Sequence, residues 1–184
     1  MDETPTLQWS HEPRNWSASG DTVTVTSDAK TDYWRKTHYG FIRDNGHFYH
    51  RLVDGDFVAD VRFRGAYTGQ YDQAGLMVRV DEATWIKCGI EFVDGVQHIS
   101  AVVTRDYSDW SVAPLPQNPP QTWLRVVRQG STIEVFYSLD GAHYTMIRTA
   151  HLSGAGNAQV GLMCASPDGD GFAVAFEDFT IKAS

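Results

Sequence analysis

Hydrophobic and polar residues alternate with a period of two along most of the chain, and no stretch carries the 3.6-residue period of an amphipathic helix. The alternation predicts strands at DTVTVTS (21–27), FVADVRFRG (57–65), QAGLMVRV (73–80) and TWLRVVR (122–128). It predicts three more at STIEVFYS (131–138), AQVGLMCAS (158–166) and FAVAFEDFTIK (172–182). Asn45-Gly46, Asp54-Gly55, Asp94-Gly95, Gln129-Gly130 and Asp140-Gly141 each supply a residue that tolerates positive φ and so mark turns. Strands at this spacing, without a repeat, indicate an all-β sandwich or jelly roll of antiparallel sheets. The proline-rich segment APLPQNPPQ, Ala113 to Gln121, lacks the donors of a central strand and reads as a loop at a sheet rim.

The most informative stretch is WIKCGIEFVDGVQHISAVVT, Trp85 to Thr104, which folds back at Asp94-Gly95. Such a hairpin pairs Val93 with Val96, Glu91 with His98, Lys87 with Val102 and Trp85 with Thr104. Ile86, Cys88, Ile90, Ile99, Ala101 and Val103 then share a core face. The opposite face carries Trp85, Lys87, Gly89, Glu91, His98, Ser100 and Thr104. Pairing Val80 with Ile86 extends this polar wall to QAGLMVRV, setting Arg79 opposite Lys87 and leaving Gly75, Gly89 and Ser100 as a trough. Like charges opposite one another on a bare sheet are unfavourable, so the Arg79–Lys87 pair calls for a nearby anion.

At 184 residues, with 42% hydrophobic and 21% charged, the chain has globular composition and reads as a single domain, 1–184. A net charge of -8 argues against nucleic acid or an anionic membrane as partner. No apolar run approaches a membrane span, and MDETPTLQWSHEPRNW shows neither a basic nor an apolar leader region, so the expected location is cytoplasmic. Cys88 and Cys164 lie in apolar alternating runs, as buried free thiols do.

Three other stretches hold groups that can converge on the wall: TDYWRKTHYG with Asp32, Trp34 and His38, GQYDQAG with Tyr71, Asp72 and Gln73, and RDYSDWS with Asp109 and Trp110. Each mixes aromatic faces with carboxylates, amides or hydroxyls. A sugar ring needs such a set: its C–H face stacks on an aromatic platform, and its hydroxyls are read by planar hydrogen-bonding groups. The expected ligand is therefore a carbohydrate or related polyhydroxylated molecule. Trp85, with Trp34 or Trp110, would form platforms. Glu91, His98, Gln73, Asp72 and Asp109 would read hydroxyls, and Lys87, Arg79 and Arg125 would hold an anionic group.

The motifs TDYWRKTHYGF, YDQAGLMVR, WIKCGIEFVDG, VVTRDYSDWS, LRVVRQGSTIEVFYSLDG and FEDFTIK together resemble a family of unknown function in the concanavalin A-like lectin/glucanase superfamily. Its fungal members are described as regulators of enolase. The resemblance covers nearly the whole chain and implies a concanavalin A-like jelly-roll sandwich of two antiparallel sheets, one of them concave. It implies no reaction.

Glycoside hydrolases and lectins share this superfamily, so catalysis stays open beside ligand binding. The glutamates Glu3, Glu12, Glu82, Glu91, Glu134 and Glu177 include no closely spaced pair of the kind many sandwich hydrolases place on one strand. As a hydrolase or lyase, the chain would use Glu91 with His98 as an acid/base couple, or Glu91 with Asp72, Asp109 or Asp32. A protein-interaction module with a protein partner is the third reading. No cofactor and no metal are expected: Asp168 and Asp170 in PDGDG lack the further ligands of a calcium loop, and His47 and His50 fall on opposite faces of a strand.

Overall fold

The computed structural model describes residues 6–184, all in strands and connections. Residues 1–5, part of the leader-region reading, lie outside the described residues. Among the described residues no helix is long and apolar enough to cross a membrane.

Two seven-stranded antiparallel sheets stack against each other, giving the jelly-roll sandwich. In order across the first sheet run β1 (Gln8–Ser10), β6 (His47–Asp54), β15 (Asn157–Ala165) and β8 (Gln73–Asp81). They are followed by β9 (Thr84–Val93), β10 (Val96–Arg105) and β11 (Tyr107–Leu115). The second sheet runs β14 (Thr145–His151), β13 (Thr132–Ser138), β12 (Thr122–Gln129) and β7 (Phe57–Gly65). It ends with β16 (Ala173–Ala183), β3 (Thr22–Thr26) and β2 (Asn15–Ser19). A small hairpin, β4 (Tyr33–Arg35) and β5 (Ile42–Asp44), forms a separate two-stranded sheet.

The alternation decides which face of each strand is buried. Phe57, Ala59, Val61 and Phe63 of β7 and Leu124 and Val126 of β12 meet Leu76, Val78, Ile86, Cys88, Ile90 and Ile99 of the first sheet in one core. Both cysteines are free and buried in that core.

The hairpin at Asp94-Gly95 forms in the expected register, with Glu91 opposite His98 and Lys87 opposite Val102. Asp94 and Gly95 both take positive φ, 50° and 79°, as a primed turn requires. Gly46 does not. Its backbone is ordinary, and glycine is needed there because a Cβ would overlap the Tyr33 ring packed on it.

The register of β8 against β9 departs from expectation by two residues. Val78, rather than Val80, pairs with Ile86, and the ladder shifts between Arg79 and Asp81 so that a tight connection joins Asp81 to Thr84. A two-residue slip preserves both faces, which is why the hydrophobic pattern alone could not exclude it. Arg79 consequently sits opposite Trp85, Met77 opposite Lys87 and Gly75 opposite Gly89, so the like-charged Arg79–Lys87 pair does not exist. The segment from Ala113 also departs: β11 continues through Pro114 to Leu115, allowed because β11 is an edge strand and Pro114 needs no further donor.

Candidate functional site

The outward face of the first sheet is not an open wall. Residues 31–45 leave the sandwich after β3, fold into the β4–β5 hairpin and lie across it. Tyr33 packs there against Phe48, Met77, Trp85, Val102 and Met163, which come from five adjacent strands and make a second apolar core. Trp85 is 1% exposed at its centre, so it is a packing residue rather than a stacking platform. The expected trough is closed too. Gly75 and Gly89 face each other so closely that a Cβ on Gly75 would overlap the Cys88 carbonyl oxygen. Only about 10 Å³ of space remains, beside Met163.

Polar contacts fasten this cover. The guanidinium of Arg79 forms a two-pronged ion pair with Asp44, its Nη2 donating to Oδ2 at 2.7 Å. Arg79 is thereby a clamp on β5 and not an anion-binding group. The Arg35 backbone N–H donates to Ser108 Oγ at 2.9 Å, and Arg35 and Lys36 pair with Asp106. Lys87, 4% exposed, points its ammonium at the underside of the cover. It donates to the Tyr33 carbonyl at 2.7 Å and Gln73 Oε1 at 2.6 Å, with Asp32 Oδ1 at 3.5 Å. Protein acceptors thus surround it.

Where the cover ends, a cavity of about 310 Å³ opens over Gln73, Lys87 and Glu91. Trp34, Tyr39, Phe41, Tyr71 and Trp110 give it aromatic walls, and Asp32, Arg43, Pro167 and Asp168 complete it. Tyr71 takes positive φ, 66°, its carbonyl accepts from Gln73 Nε2 at 3.1 Å, and its ring stands 6.4 Å from that of Trp110 between centroids. A short relay fixes Trp110 and Glu91 together. The indole Nε1–H donates to Ser100 Oγ at 3.1 Å, and that hydroxyl donates to Glu91 Oε2 at 3.0 Å. Glu91 Oε1 has no hydrogen-bond partner among the described residues. Burial pushes the Glu91 carboxyl above the usual carboxylate range and the Asp32 charge adds to it, against the opposing pull of Lys87 and Ser100.

Of the residues singled out from the sequence, Asp32, Trp34, Tyr71, Gln73, Lys87, Glu91 and Trp110 line this one cavity. His38 and Asp109 line an adjacent space of about 450 Å³ with Trp34, Tyr39, Trp110 and Arg148. The others are elsewhere. Asp72 is fully buried, with both oxygens used: Oδ2 accepts from the Thr68 and Gly69 amides of its own loop, and Oδ1 accepts from Ser166 Oγ, just after β15, at 2.6 Å. His98 bonds the Val96 carbonyl of its own strand at 2.9 Å, while Glu91 bonds Ser100, so the two do not form an acid/base couple. Arg125 is on the second sheet, paired with Asp60 at 2.8 Å and stacked over Tyr144.

Tyr39 belongs to the TDYWRKTHYG stretch expected to converge on the wall, whereas Phe41 and Arg43 were not singled out as ligand groups. Their signal was available in pairing YWR with IRD as a hairpin, which brings Trp34 opposite Arg43, but three-residue strands are too short for periodicity to reveal. Among the described residues no group of three or more His, Cys, Asp or Glu gathers at a metal-like site.

The chain is 38% identical over 175 residues to "Regulation of enolase protein 1" of Saccharomyces cerevisiae, covering 95% of this chain and 88% of that one. A solved structure described as a functionally unknown protein from Saccharomyces cerevisiae superposes with a TM-score of 0.93 at 37% identity, over 97% of each chain. The carbohydrate-binding module CBM66 from Bacillus subtilis superposes with a TM-score of 0.61 at 14% identity, over 97% of each chain, a likeness of fold alone. The model of one family, described as a protein of unknown function (DUF1349), matches residues 9–184, and the chain belongs to that family.

Proposed function

We propose that the protein binds a carbohydrate or related polyhydroxylated ligand in the 310 Å³ cavity. The observation that carries this reading is the relay from Trp110 through Ser100 to Glu91. It holds an aromatic face and a carboxylate with a free oxygen at fixed positions in one cavity. The cavity lies in the size range of small-molecule sites. Trp34 and Trp110 serve as platforms for the apolar face of a ring, and Glu91 Oε1 accepts from its hydroxyls. Arg43, held over the Phe41 ring at 4.4 Å and without a carboxylate partner among the described residues, donates at the rim. Lys87 supports the site from below. The fold likeness to a carbohydrate-binding module is consistent with this reading.

The test is a glycan array followed by calorimetric titration, with Trp110→Ala and Glu91→Gln measured in parallel. Saturable binding of a sugar by the parent, weakened at least about tenfold in both variants, is the expected result. Binding that survives both changes places the ligand elsewhere.

Hydrolysis is the second reading, favoured by the raised Glu91 carboxyl beside Asp32, since burial that shifts a carboxyl upward is how a general acid is tuned. Turnover of the bound sugar, lost in Glu91→Gln with binding retained, would distinguish it.

A further inference from the structure

The same three aromatic residues, Trp34, Tyr39 and Trp110, line both the 310 Å³ cavity and the 450 Å³ space next to it. A wall shared by two compartments makes them neighbouring rooms of one groove rather than separate features. The rooms differ in kind. The first has buried Glu91, Gln73 and Lys87 on its floor and ends at the β4–β5 cover. The second is lined by Asp109 and Ser111 of β11 in the first sheet and by Arg148 of β14 in the second, at the seam between the sheets.

The seam is built with polar groups. Arg148 of β14 donates through Nη1 to Ser111 Oγ of β11 at 2.8 Å, which ties the two sheet edges and sets the guanidinium along the second room. Arg148 Nε and Thr37 Oγ1 are buried there with no hydrogen-bond partner, and the described residues offer Arg148 no carboxylate. Asp109, exposed on β11, has no hydrogen-bond or ion-pair partner among the described residues either. Unpaired donors and acceptors around an aromatic wall repeat, in the second room, the chemistry of the first.

From this we infer that the ligand is a chain of linked sugar rings rather than a single ring, with one unit in the room over Glu91 and the next unit in the room of Asp109 and Arg148. The inference rests on the proposed carbohydrate reading and adds the substrate class. Trp34 and Trp110, standing between the rooms, flank the linkage.

The experiment titrates the protein with ladders of xylose, glucose and galacturonic acid oligomers, from one to four units, in calorimetry. In the series that binds, affinity is expected to rise roughly tenfold or more from the single unit to the two- or three-unit oligomer and then to level off. Asp109→Asn and Arg148→Ala, each checked by thermal melting, should abolish that gain while leaving the single-unit affinity within about twofold. Should the Arg148 change loosen the sheet seam, the Asp109→Asn result alone decides, since the Asp109 side chain makes no hydrogen bond or ion pair among the described residues. Equal affinity for all lengths, or a length gain that survives both variants, overturns the second subsite and leaves the single-ring reading standing. No binding to any member of any ladder overturns both.

Discussion

Replacing Lys87 by methionine tests the central energetic feature of the covered face. Methionine matches the lysine stem up to the ammonium, so the change removes charge and donors while creating little empty space. Three groups lose their donor: the Tyr33 carbonyl, Gln73 Oε1 and, less directly, Asp32, which keeps the Tyr33 amide at 2.8 Å. Each buried acceptor left unmade costs about 1–3 kcal/mol. Breaking a buried pair by removing one partner costs about 3–5 kcal/mol in all. We take the second figure, because Gln73 can turn its amide and recover part of its loss.

In a chain of 184 residues each kcal/mol moves the melting midpoint by about 2–4 °C, so the expected fall is about 6–20 °C. Urea unfolding at pH 7 supplies the free energy, and adding Gln73→Leu to Lys87→Met should cost less than the sum of the single changes. A loss below about 1 kcal/mol would match a solvated surface lysine, and the description of Lys87 as an internal clamp would fail.

Trp85→Ala should destabilise by about 3–5 kcal/mol in urea, because the ring fills the second core; a loss within about 0.5 kcal/mol would return Trp85 to the surface. A double-mutant cycle on Arg79→Ala and Asp44→Ala should give a coupling of about 1–3 kcal/mol, with faster proteolysis of the cover between β4 and β5; additive effects would mean the pair does not fasten it. Gly75→Ala should cost about 3 kcal/mol or more, since its Cβ meets the Cys88 carbonyl, and near-parent stability would contradict the close pairing with Gly89. Glu91 predicts a pH dependence. Its folded-state value lies above the unfolded one, so its stabilising contribution is complete below about pH 4.3 and is lost as pH rises through the raised value. Urea midpoints of the parent should therefore fall across that window relative to Glu91→Gln, and parallel curves would show that the carboxyl is not held high.

The hairpin from Trp85 to Thr104 was legible down to its register because everything that specifies it is local: a two-residue turn flanked by ten-residue strands whose core positions recur every second residue. The pairing of β8 with β9 was legible only in its faces. A shift at Val80 moves every partner by two places without exposing one core residue, so hydrophobicity carries no information about it. Tyr71, Gln73, Glu91 and Trp110 were legible as a group for the same local reason, lying on or beside those strands. Asp72 and Arg125 looked equivalent to them by residue type. What separates them is a fold that spends both oxygens of Asp72, one on its own loop and one on Ser166, and a sheet that puts Arg125 beside Asp60.

The larger gap concerns the cover. Read alone, the hairpin has one apolar face and one face mixing tryptophan, lysine and glutamate, and a mixed face is ordinarily wet. Residues 31–45 change the sense of that mixture. Once they lie across the sheet, Trp85 needs an apolar neighbour and finds Tyr33, while Lys87 needs acceptors and finds the Tyr33 carbonyl and Gln73. Glu91 is the exception. Burial raises the cost of its charge, and its protein contacts answer only one of its two oxygens, through Ser100. A carboxylate oxygen that the fold leaves without a hydrogen-bond partner, beside aromatic walls and an open cavity, is free to accept from whatever enters. For that reason Glu91, and not the more heavily bonded Lys87, is the residue whose substitution should read out the ligand directly.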